Sequence, residues 1–71
     1  MVSKNDIIGD VLRKVKGSAR VFMQHGIRCV GWGGAQYETI EQGAQIHGVN
    51  IEKLVNDLQD LDAKNNTENL N

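Results

Sequence analysis

The stretch IRCVGWGG, residues 27–34, holds both the single cysteine of the chain, Cys29, and its single tryptophan, Trp32. An accessible thiol can be oxidised, acylated or bound to a metal, and it reacts as the thiolate. Arg28 stands beside Cys29 and would favour the thiolate if the two side chains lie together. The competing reading is a small buried hydrophobe, the usual fate of free cysteine. The residues leave both open. CVGW is one substitution away from Cys-x-x-Cys, but an indole is neither a thiol nor a metal ligand. With one cysteine, no disulfide closes within the chain, and disulfide chemistry requires a second molecule.

His25 and His47 are the other residues that could join Cys29 around a metal. Zinc takes four ligands, or three and a water, so this trio suffices only if the fold gathers it. The spacing matches no finger pattern, and the three remain weak metal candidates. His25 reads better as a helix-terminus residue, and His47 as a residue packed or hydrogen-bonded near a helix end. GWGGAQ is rich in glycine, yet a phosphate loop needs Lys-Ser or Lys-Thr after the glycines, and Ala35 and Gln36 stand there. Gly31 and its neighbours are read more simply as letting the chain turn around Trp32. Trp32 and Tyr37 form either an exposed aromatic anchor for a partner or a seal over the core. Glu38 and Glu41 fall at a helix start, where acids are favoured electrostatically, and no companion nucleophile is spaced to use them. No catalytic residue is identified.

Helices must position these groups. Ile8, Val11, Leu12 and Val15 follow the i, i+3, i+4, i+7 rule of a buried helical face, with Asn5 or Asp6 as the expected cap. Asp10, Arg13 and Lys14 take the polar side. Gly9 inside this helix lowers its propensity by about 1 kcal/mol, which close packing against a neighbour would explain. A second helix is expected over residues 17–25, burying Ala19, Phe22 and Met23 with Val21 at the margin, and ending at His25-Gly26. The connector, residues 27–37, is longer than the usual link between short helices, and long ordered connectors tend to be functional.

Thr39-Ile40-Glu41-Gln42 fits a capping box that opens a third helix, with Ile40, Gly43, Ala44 and His47 on one face and Gly48 at its end. Asn50 caps a fourth helix, Val49 and Leu54 form its hydrophobic staple, and Ile51, Leu54, Val55, Leu58 and Leu61 form its stripe. The end, AKNNTENLN, has no periodicity and is expected to be a disordered tail over residues 63–71. The expected fold class is all-α: a compact orthogonal bundle of four short helices forming a single domain over residues 1–62.

Composition narrows the function. A chain of 71 residues with net charge −1 carries no basic stripe, so no nucleic-acid partner is expected. Arg13, Lys14, Lys16 and Arg20 read as a solvated helix face. No apolar run approaches the roughly 20 residues of a membrane span, and MVSKND lacks the apolar core of a signal peptide. The lone cysteine fits a reducing setting, and a cytoplasmic location is expected.

Phe22 to Leu54, FMQHGIRCVGWGGAQYETIEQGAQIHGVNIEKL, resembles the hybrid-cluster-protein-associated disulfide domain, a small helical family of unknown function. The shared features are Gly26, the segment from Cys29 to Trp32, Glu38-Thr39-Ile40-Glu41, and His47-Gly48; IIGDVL resembles the family's first helix. The likeness covers roughly residues 2–60, and a more distant one is to the N-terminal cysteine domain of iron–sulfur cluster repair proteins. It implies a role near redox or cluster proteins. By position, Cys29 matches the first family cysteine and Trp32 stands at the second, so the disulfide function is not carried over.

The expected function is a non-enzymatic binding or accessory module that presents residues 29–37 to a protein partner, with Arg28, Cys29, Gly31, Trp32 and Tyr37 as contact or redox candidates. The alternative is an intermolecular thiol or metal-binding protein acting through Cys29. No cofactor is expected, and the protein is read as a monomer or weak homodimer.

Overall fold

The expected apolar stripes fall on four helices, with Val15 just past the end of the first: α1 (Ile8–Lys14), α2 (Ser18–Gln24), α3 (Ile40–His47) and α4 (Ile51–Asn69). This computed structural model describes residues 1–28 and 36–69, the last three by backbone alone. Among them there is no sheet, only an isolated antiparallel bridge between Ile7 and Thr39. The radius of gyration is 11.4 Å, close to the roughly 11 Å expected of a compact chain of this length.

The core is built from Ile8, Val11, Val15, Phe22, Ile27, Ile40, Ala44, Leu54 and Leu58, with Val2 folded in beside them. The longest helix, α4, packs against α2 and α3, and α1 packs on α2. Leu54 and Leu58 are fully buried, with Ile51, Val55 and Leu61 packed at the core's margin. The α4 backbone stays helical to Asn69, beyond the end of its apolar stripe at Leu61. Within that extension the Asn65 amide donates to the Lys16 carbonyl at 3.0 Å, a tie between residues far apart in sequence.

Two glycines close helices as expected. After α2, Gly26 has φ 99°, its N–H donates to Met23 O, and the Ile27 N–H donates to Phe22 O at 2.9 Å. After α3, Gly48 has φ 66°, its N–H donates to Gln45 O, and the Val49 N–H donates to Ala44 O at 2.8 Å. Both are Schellman turns, which satisfy the last carbonyls and fold the next apolar residue back onto the helix. A Cβ on Gly26 would lie 3.8 Å from Val49 Cγ2, so the two turns are neighbours.

Helix starts follow expectation in α3 and α4. Thr39 and Gln42 form the full capping box, and the Asn50 side chain accepts from the Lys53 N–H at 3.0 Å. At α1 the expected cap is corrected: Ile7 occupies the N-cap with no side-chain bond, and neither Asn5 nor Asp6 caps the helix. The Asp6 carboxylate instead accepts from the Ser3 N–H, while its carbonyl accepts from the Ile40 N–H. Residues 4–8 and 38–41 thereby satisfy each other's helix starts. Ile8 N–H donates to Glu38 O, Ile40 N–H to Asp6 O, and Glu41 N–H to Lys4 O, at 2.8, 2.9 and 3.0 Å. These are donors a helix cannot pair internally.

Two faces also differ from expectation. In α2 the buried positions are Ser18 and Phe22 with Val21 beside them, whereas Ala19 and Met23 face outward. The Ser18 hydroxyl can sit in the core because it donates to the Val11 carbonyl at 3.2 Å. In α3, Ile40, Gly43 and Ala44 are buried but His47 is exposed. The core at that end is filled by Val49, brought back by the Gly48 turn.

Candidate functional site

The connector leaves the body at Ile27 and Arg28 and returns at Gln36 and Tyr37. Its exit is firm. Ile27 is 1% exposed, its N–H is bonded into the Schellman turn, and its Cδ1 lies 4.0 Å from where a Cβ on Gly43 would be. The return is firm as well. A Cβ on Gly9 would stand 2.6 Å from the Gln36 carbonyl oxygen, so only glycine lets α1 approach this backbone. Two residues further, the Glu38 carbonyl takes the Ile8 N–H, and Thr39 starts the capping box.

Both anchors meet the same contact between α1 and α3. There Ile8 lies against Gly43, whose Cβ, if present, would be 2.8 Å from Ile8 Cδ1. Gly9 and Gly43 each place a hydrogen where a methyl would collide. The close packing expected of Gly9 is thus found, and its neighbour is the end of the connector.

The candidate residues are distributed as follows. Arg28 is exposed at the exit, and Tyr37 is 74% exposed at the return. Cys29, Gly31 and Trp32 lie outside the described residues, so the arrangement of sulfur and indole is not part of the described geometry. His25 is the C-cap residue of α2, as its helix-terminus reading required. Its Nε2 lies 2.6 Å from Asp57 Oδ2 of α4, with the imidazole largely covered and the carboxylate more open. Sequence reasoning missed this pair, because nothing local links residues so far apart on two helices. Among the described residues, no cluster of three or more His, Cys, Asp or Glu could hold a metal ion. The acids Glu38 and Glu41 flank the α3 start, where Glu41 pairs with Lys4 at 3.4 Å.

Residues 2–55 match the family described as a domain of unknown function, DUF1858. The chain belongs to that family. No curated protein and no solved structure matches it. The DUF1858 match takes in α1, α2, α3, the whole connector and both of its anchors, and it ends inside α4. Among the described residues, no helix is long and apolar enough to cross a membrane.

Proposed function

We propose that the protein is a non-enzymatic accessory module whose helical body presents residues 29–37 to a protein partner in a redox or hybrid-cluster setting of the cytoplasm. The observation that carries this reading is the double anchoring of the connector. Ile27 is buried at one end, and the Gln36 backbone is seated on Gly9 at the other, both beside the contact between α1 and α3. A segment held at both ends has less conformational entropy to lose on binding, and that favours association. Tyr37 and Arg28, both exposed at its ends, are of the residue types that dominate binding interfaces. The finer assignment to hybrid-cluster proteins rests on the motif resemblance carried by Gly26, Cys29 and the Glu38–Glu41 segment.

The test is a titration of the 15N-labelled protein with a hybrid cluster protein. The Trp32 indole signal and the amides of residues 28–37 are expected to shift together. Binding that leaves them in place and moves other signals refutes the reading. A mixed disulfide formed through Cys29 in the same mixture would replace it with intermolecular thiol chemistry.

A further inference from the structure

Beside the connector's exit, Arg20, Met23, Gln24 and Arg28 line an open groove along the outer face of α2. Arg20, Met23 and Gln24 share this face by their i, i+3, i+4 spacing, and Arg28 follows the Gly26 turn. Met23 is 54% exposed, one of the few large apolar side chains left in water among the described residues. Neither guanidinium has an ion-pair partner among the described residues, whereas Arg13 is paired with Asp10. The groove therefore offers two free guanidinium forks around an apolar thioether, on a chain whose net charge is −1.

We propose that this groove docks an acidic segment of the partner protein, one with carboxylates flanking an apolar side chain. The proposal rests on the accessory reading above and gives that partner its chemistry. Arg forks pair with carboxylates through charge-assisted, often bidentate hydrogen bonds. Methionine adapts its shape to varied apolar side chains. Charge complementarity excludes a basic segment. The apolar floor between the two charges favours a peptide over a nucleic-acid backbone, which would call for a continuous basic track.

The probe is a fluorescein-labelled peptide of alternating Glu and Leu, followed by anisotropy against the full chain. Binding is expected, and it should weaken as salt rises, since exposed charges are screened. Replacing both arginines, Arg20→Gln with Arg28→Gln, should weaken it about tenfold or more without moving the melting temperature. Replacing two exposed α4 lysines, Lys53→Gln with Lys64→Gln, should leave it unchanged. The proposal is overturned if the peptide does not bind, if the lysine variant weakens binding equally, or if a Gln-Leu peptide binds as well. Tighter binding of an oligothymidylate to the same arginines, or a dimer that the arginine variant dissociates, also overturns it. The connector reading fails separately. If Trp32→Ala abolishes partner binding and the arginine variant does not, the groove is wrong and the connector stands. If Arg20→Gln alone abolishes it while the signals of residues 29–37 stay unmoved, the groove stands and the connector reading falls.

Discussion

Gly9→Ala sets two opposing effects against each other. Helix propensity alone predicts that alanine at position 9, in the first turn of α1, stabilises by up to about 1 kcal/mol, because glycine loses more backbone freedom on folding. The structure predicts the reverse. The new Cβ would sit 2.6 Å from the Gln36 carbonyl oxygen and needs another 0.8 Å (3.4 − 2.6) to reach ordinary contact. The atom in its way is backbone, tied two residues later to Ile8 by the Glu38 carbonyl, so it cannot swing aside. Overpacking of this kind costs about 1–3 kcal/mol. Set against the propensity gain, the net is a loss of about 1 kcal/mol, or roughly 5 °C in Tm for a domain of this size. Urea unfolding followed by circular dichroism measures the global change. Hydrogen exchange at the Ile8 amide measures the local one, and it should quicken more than exchange at Leu54 or Leu58. Gly43→Ala is the matched control. Its Cβ meets only the tip of the Ile8 side chain at 2.8 Å, which can yield, so its loss should be smaller or absent. A Gly9→Ala protein about 1 kcal/mol more stable than the original, with unchanged Ile8 exchange, would show that the connector's return is not seated on α1 and would remove the main support for the accessory reading.

Three further outcomes test the frame. Gly48→Ala has nothing within 4 Å to clash with, yet should cost about 1 kcal/mol in a urea titration from its φ of 66° alone. Thr39→Ala should cost about 1 kcal/mol by removing the oxygen that accepts the Gln42 N–H at 3.1 Å, and thermal melts give the value. A double-mutant cycle with His25→Ala and Asp57→Ala should give a coupling of about 0.2–1 kcal/mol, kept low by the openness of the carboxylate; additive losses would mean that the pair contributes nothing.

Much of this frame is legible in the sequence because it is local. Periodicity finds the buried faces of α1 and α4, glycine marks the ends of α2 and α3, and Thr39 and Asn50 mark starts, since each signal acts within one or two turns of chain. What failed is what depends on distant partners. Ser18 looks like a surface residue until the Val11 carbonyl is there to accept its hydroxyl. The expected face of α2 shares Phe22 with the observed one but assigns Ala19 and Met23 to the core in place of Ser18. Asp6 looks like an N-cap, but the approach of α3 draws its carbonyl into a bridge. The bridge has no alternating pattern to betray it, because each side contributes a single residue. For the candidate site the division is the same. The length and glycine content of residues 27–37 single out the connector, and Gly9 hints at a close neighbour. That the neighbour is the connector's own end follows only from the fold.

The placement of helical glycine argues that the anchoring is a requirement and not an incidental result of packing. Glycine inside a helix lowers stability by about 1 kcal/mol relative to alanine. A domain of this length has roughly 4–11 kcal/mol to lose, taking about 0.05–0.15 kcal/mol per residue. Gly9 in α1 and Gly43 in α3 together therefore give up a substantial fraction of it, and both do so at one place. A core that needed only to be stable could part these helices slightly and carry alanine at both positions. Instead α1 lies so near the Gln36 backbone that no side chain fits between them, and Ile8 and Ile27 converge on the space left bare by Gly43. Each of these contacts fixes either the exit or the return of the connector. The stability given up at the two glycines is spent on the geometry with which residues 28–37 leave and rejoin the helical body.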